Sequence, residues 1–246
     1  MASIVPADRS NGYEAVAGDF MSRRTRSDVG VATVREWAKE LPPGGAVLDL
    51  GCGHGVPISQ CLADQGLIVY GIDASPSMIA AFRARLPDAP SECSPVEDSQ
   101  FFSGRRFDGV VAWGLIFLLA PAVQAAVIHK VAVGLKRGGR FVFTAPQQPC
   151  EWPDNLTLRK SVSLGAEAYR QILKAAGLIL LDEAEDEGEN HYYLARKPDT
   201  HSQMSESAAA PEHAHAHASH LRNATLVQRD SRAFPFRPPD PILQPC

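Results

Sequence analysis

No two of the five cysteines (Cys52, Cys61, Cys93, Cys150 and Cys246) form a CxxC pair, and their number is odd. That argues against a zinc ribbon or a disulfide framework and predicts reduced thiols in a cytoplasmic protein. Charge of neither sign dominates. A formal net charge of −4 gives no whole-chain footprint for nucleic acid. The first twenty residues lack the basic-then-apolar order of a secretory leader. Uninterrupted apolar spans are also missing. Residues 109–128 approach the ~20 residues that a bilayer crossing requires, but Pro121 divides them and Gln124 follows. They read as a buried strand, a loop and a helix start, so no membrane partner is expected.

What is present is an ordinary globular composition, 45% hydrophobic and 21% charged over 246 residues. Strand and helix patterns alternate along it. Ala46–Leu50 reads as a first strand and 55–65 as a helix with Pro57 in its first turn. A fully apolar second strand, 67–72, ends in Asp73, as expected where helices cover both faces of a parallel sheet. Ser75-Pro76 opens a helix with Met78, Ile79 and Phe82 inward. Further strands are expected at 91–94, 109–113 and 140–144, and a helix with Val123, Val127 and Val131 inward lies before the last of these. Upstream, Ser27 or Asp28 can cap a helix carrying Val31, Val34 and Trp37.

The pattern lapses over 145–165, a stretch longer than an ordinary connector, then resumes as a helix (166–176) and two late strands resembling a closing hairpin. Together these elements predict a doubly wound α/β domain. After Pro198 the Ala-, Ser-, His- and Pro-bearing sequence has no periodicity and reads as a disordered tail. Its histidines (His213, His215, His217, His220) are not expected to form a metal site, because nothing fixes their geometry. The organisation expected is an N-terminal lid (1–26), a catalytic domain (27–198) and a tail (199–246).

The chemistry centres on Val47-Leu48-Asp49-Leu50-Gly51-Cys52-Gly53-His54-Gly55. A strand, a glycine loop and a helix start let a ligand approach backbone N–H groups closely. The spacing is GxGxG rather than the dinucleotide GxGxxG. Asp49 lies two residues before the loop, where it would repel a pyrophosphate carrying about two negative charges. The ammonium and sulfonium of S-adenosylmethionine would instead be favoured. Asp73, about 20 positions beyond the glycines, suits ribose hydroxyls; the alternative is a turn or capping residue, a role Ser75 could equally fill.

These residues resemble motif I of the class I S-adenosylmethionine-dependent methyltransferases. Gly71-Ile72-Asp73-Ala74-Ser75-Pro76-Ser77-Met78 is similar to their second signature. Phe107-Asp108-Gly109-Val110-Val111-Ala112 and Leu135-Lys136-Arg137-Gly138-Gly139-Arg140-Phe141 are similar to the later landmarks. The resemblance covers roughly residues 30 to 197. It implies a doubly wound, seven-stranded, mostly parallel sheet with a C-terminal antiparallel hairpin strand. Carried over by position, Asp49, Gly51 and Gly53 would hold the methionine part and Asp73 the ribose. Ala74 and Met78 would flank the adenine, with Val96 and Glu97 at its edge. The family's usual acidic residue just before Val96 is replaced by Ser94-Pro95, leaving Glu97 or Asp98 as substitutes.

Trp113 would face the methyl group, either lining an apolar acceptor pocket or packing in the core. The Asn/Asp-Pro-Pro-aromatic signature of planar-nitrogen methylation is absent from Ala112-Trp113-Gly114-Leu115. For a general base, Tyr13, His191 and Glu187 are the candidates, each with a structural alternative: a core tyrosine, a strand histidine, a solvated turn acid. Trp152, Asp154 and Tyr169 are expected to shape the acceptor pocket. Arg23-Arg24-Thr25-Arg26 reads as a solvated helix face, with binding of an anionic acceptor as the alternative.

The expected function is methyl transfer to a small-molecule acceptor, with S-adenosylmethionine as cofactor and no metal. A catalytically silent S-adenosylmethionine-binding regulator and an RNA methyltransferase are the alternatives, the latter disfavoured by the lack of a basic or aromatic RNA-binding module. No feature names the acceptor atom or an oligomeric state.

Overall fold

The computed structural model describes residues 8–199. Nine strands form: β1 (Ala46–Leu50), β2 (Ile68–Asp73), β3 (Ser91–Cys93), β4 (Phe107–Ala112), β5 (Leu135–Thr144), β6 (Pro149–Pro153), β7 (Lys160–Leu164), β8 (Ile179–Glu185) and β9 (His191–Arg196). Seven make one sheet in the order β3-β2-β1-β4-β5-β9-β8. β1 to β5 run parallel, β9 pairs antiparallel with β5, and β8 pairs antiparallel with β9. The expected seven-stranded sheet with its reversed hairpin is therefore present. The chain winds outward from β1 to β3 and returns at β4 on the other side of β1. Such a reversal opens a crevice at the strand carboxyl ends, where ligands of open α/β sheets bind.

Helices α1 (Ala17–Arg24), α2 (Val31–Ala38), α3 (Ile58–Asp64), α4 (Pro76–Arg85), α5 (Pro121–Gly134) and α6 (Ala166–Ala175) flank the sheet. The two-residue period of the strands divides the core. Leu48, Leu50, Ile72, Val110, Phe141 and Phe143 pack with Val127 and Val131 of α5 and Tyr169 and Leu173 of α6. Val47, Val69, Val111 and Val142 face the other way, toward Val34 and Trp37 of α2, Leu62 of α3 and Phe82 of α4. Asp49 shares the parity of Val47, which directs its carboxylate toward α3.

Three local expectations are corrected. Residues 145–165 form an antiparallel hairpin, β6–β7, paired from Pro149↔Leu164 to Pro153↔Lys160. Its buried positions in β7 are Ser161 and Ser163, so no apolar alternation announced it. α2 starts after Gly30, at φ 86°, and not from a Ser27 or Asp28 cap. A Cβ on Gly30 would lie 2.5 Å from Trp113 Nε1, so close packing sets that start. Cys52, Cys61 and Cys93 are free thiols, but Cys150 is disulfide-bonded, against the all-reduced expectation. The histidine-bearing tail lies outside the described residues.

Candidate functional site

β1 delivers the chain into a loop whose Gly51, Gly53 and Gly55 have φ of 70°, 53° and 88°, conformations that L side chains adopt only at a cost. The loop is pinned from β2. Gly51 N and Cys52 N donate to Ile72 O at 2.8 and 3.1 Å, and Gly53 N donates to Asp73 Oδ2 at 2.9 Å. Asp73 Oδ1 accepts from Ser75 N at 2.8 Å, so this one carboxylate joins the glycine loop to the start of α4. The capping role falls to Ser75, whose Oγ accepts from Met78 N at 3.1 Å. Burial raises the Asp73 pKa, and the backbone donors work against that rise.

Asp49 is 2% exposed and accepts a hydrogen bond from Ser59 Oγ of α3. Burial pushes its carboxyl up to about 7, Ser59 opposes the rise, the charge of Asp73 adds to it, and that of Arg24 lowers it. Arg24 itself is 2% exposed, with its guanidinium 4.0 Å above the Trp113 ring.

The carboxyl ends of β1, β2 and β4 open onto one cavity. Asp49, Gly51, Gly53, Asp73, Ala74, Met78, Val96, Glu97 and Trp113 all line it. These nine residues come from four separate stretches of sequence. Trp113 lines the cavity and is also anchored: its Nε1 donates to Tyr192 Oη at 2.7 Å, and Tyr192 donates to Asp186 Oδ2 at 2.6 Å. Glu97 and Asp98 both pair with Arg9.

The three candidate bases separate. Tyr13 lines the cavity and donates to Asp154 Oδ2 at 2.9 Å. Desolvation and the neighbouring carboxylate raise its pKa well above the phenol range, which holds it as a donor rather than a base. His191 lies on a second cavity with Trp152 and Asn190, its Nε2 2.8 Å from Glu183 Oε2. Glu187 is exposed and is on neither wall. Of the residues expected to shape the acceptor pocket, Asp154 lines the first cavity. Trp152 packs its ring 5.4 Å from Phe117, and Tyr169 is a core residue donating to Gln124 Oε1 at 2.7 Å.

Sequence reasoning expected a lid at 1–26 and singled out Tyr13, but missed Arg9, Phe20 and Arg24 as site residues. Arg9, Tyr13, Phe20 and Arg24 wall the cavity. Glu14 accepts from Ser75 Oγ, from Ser77 Oγ at 2.7 Å and from Ser77 N at 3.1 Å, fixing the segment to the start of α4. Arg24 was hidden in an arginine run, although its i+4 spacing from Phe20 puts both on one helix face.

Comparison with known proteins agrees with the fold. Residues 47–139 match the methyltransferase-domain family. An uncharacterized methyltransferase of Synechocystis is 34% identical over 112 residues, covering 46% of this chain and 52% of that protein. The fission-yeast 18S rRNA (guanine-N(7))-methyltransferase is 27% identical over 158 residues, 60% of this chain and 55% of its own. The matched region thus spans about half the length of these relatives. A TehB-like S-adenosylmethionine-dependent methyltransferase of Corynebacterium glutamicum superposes with a TM-score of 0.60 at 20% identity, covering 75% of this chain and 98% of its own. The fold is that of the class I S-adenosylmethionine-dependent methyltransferases. Within it, residues 47–139 are the stretch that matches the methyltransferase-domain family, and the solved methyltransferases of this fold use S-adenosylmethionine.

Proposed function

We propose that this chain is an S-adenosylmethionine-dependent methyltransferase acting on a small-molecule acceptor. One observation carries the reading: a buried carboxylate, Asp49, and a buried guanidinium, Arg24, whose charge acts on that carboxylate, both line the cavity that gathers all nine donor-binding candidates. Opposite charges so placed fit the zwitterionic head of a bound amino acid. The donor's sulfonium makes its methyl carbon electrophilic.

The chain's own residues bind and orient. Arg24 takes the donor carboxylate and Asp49 the ammonium, while Gly51 and Gly53 let the backbone approach. Asp73 offers its remaining lone pairs to the ribose hydroxyls. Ala74 and Met78 flank the adenine, with Val96 and Glu97 at its edge. Trp113 faces the transferring methyl group. Tyr13 and Phe20 of the N-terminal segment exclude water, so in-line positioning and desolvation supply the acceleration. Residues 1–26 act as the lid on a catalytic domain of 27–198.

The apolar wall of Phe20, Trp113, Phe117 and Leu118 and the absence of a basic excess favour a small acceptor over RNA. The yeast relative's rRNA substrate gives the RNA alternative its support, and salt-sensitive rRNA binding would favour it. A regulator that binds the donor without turnover would show donor affinity but no transfer to any fraction of cell extract. Among the described residues, no helix is long and apolar enough to cross a membrane. Calorimetry with S-adenosylhomocysteine and NAD tests the donor; labelled donor with fractionated extract then identifies the acceptor.

A further inference from the structure

One carboxylate of the cavity has no counterpart in the donor. Asp154 follows β6 in the hairpin turn, lines the same cavity and is 5% exposed. Its Oδ1 accepts from Leu156 N at 3.0 Å, Thr157 N at 2.8 Å and Thr157 Oγ1 at 3.1 Å; its Oδ2 accepts from Tyr13 Oη at 2.9 Å. Every one of these donors is neutral. They hold the carboxylate in place without cancelling its charge, and a buried charge calls for a partner of opposite sign. The cationic side chains on the cavity wall are otherwise engaged. Arg9 pairs with Glu97 and Asp98, and Arg24 stacks on Trp113 with its charge reaching Asp49.

We propose that Asp154 receives the ammonium of an amine acceptor whose body is apolar or aromatic, an inference that rests on the methyltransferase reading of this cavity. Trp113, Phe117, Leu118 and Leu119 supply the apolar wall. An anionic acceptor would meet a like charge there, and a neutral one would leave the carboxylate uncompensated. Tyr13, held as a donor to Oδ2, keeps its own lone pairs for a second N–H of the same amine. The amine must be unprotonated to form a new bond to carbon. Its N–H proton passes to Asp154 Oδ2, making a carboxyl, and the N–H bonding pair stays on nitrogen as the attacking lone pair. The N–C bond forms as the donor's S–CH3 bond breaks, with the pair of that S–C bond remaining on sulfur as a neutral thioether.

The probes are 2-phenylethylamine and phenylacetate, matched in size and opposite in charge, titrated into the full chain saturated with S-adenosylhomocysteine and followed by tryptophan fluorescence. The amine should bind at millimolar concentration, about tenfold or more tighter than the acid. Asp154→Asn, which preserves the side chain's shape, should erase that preference while S-adenosylhomocysteine affinity stays within about twofold. Phenylacetate binding as tightly, no amine binding, or a preference that survives in Asp154→Asn would each overturn the proposal. If S-adenosylhomocysteine itself fails to bind, the donor reading falls. The amine–acid comparison on the free protein then still decides the charge preference of Asp154.

Discussion

Trp113 Nε1 donates to Tyr192 Oη at 2.7 Å, joining the end of β4 to β9 across the front of the sheet. Tyr192 in turn donates a hydrogen bond to Asp186 Oδ2 at 2.6 Å, so the turn between β8 and β9 fixes the indole that walls the cavity. Arg24 covers the ring's other surface. Tyr192→Phe removes an acceptor and a donor at once from a buried site. The expected cost is about 1–3 kcal/mol of stability, read by urea denaturation, together with a shift in Trp113 emission. An unchanged midpoint and spectrum would show that the indole is held by packing alone.

Asp49 gives the site a pH dependence of definite sign. In the free protein burial raises its carboxyl to about 7, and the proposed pairing with the donor's ammonium would lower it in the complex. Binding below pH 7 must therefore release a proton, and donor affinity should fall about tenfold per unit as pH drops below about 7. Calorimetry in buffers of different ionisation heat reads that proton directly. Asp49→Asn should flatten the profile; the same slope in the variant would assign the proton to another group.

Much of this donor site is legible in sequence because it is local. Asp49, the three glycines and Asp73 sit within 25 consecutive residues, on a strand–loop–helix unit and the strand beside it. Arg24 and the hairpin are less legible. Arg24 is buried because the Trp113 ring, 89 positions away, lies against it, while Arg23 and Arg26 of the same run are exposed. The hairpin turns Ser161 and Ser163 inward, so polarity stands where a strand pattern requires apolar residues. Tyr13 is visible as a candidate, but its pairing with Asp154 spans 141 positions and reverses the role expected of it.

Lys130 of α5 donates its three protons to Val96 O, Glu97 O and Ser99 O at 3.1, 2.6 and 2.9 Å. It thereby fixes the Val96–Glu97 loop, which the proposed function puts at the adenine edge. Lys130→Met should release these carbonyls and raise the KM for the donor severalfold, with kcat at saturating donor preserved. A fall in kcat with KM unchanged would mean that the loop serves the acceptor side.

The most direct test of the central claim is calorimetric titration of the purified chain with S-adenosylhomocysteine and, separately, NAD. The proposed function predicts binding of S-adenosylhomocysteine at one site per chain and none of NAD, because the Asp49 carboxylate on the cavity wall would repel a pyrophosphate. NAD binding without S-adenosylhomocysteine binding would contradict it.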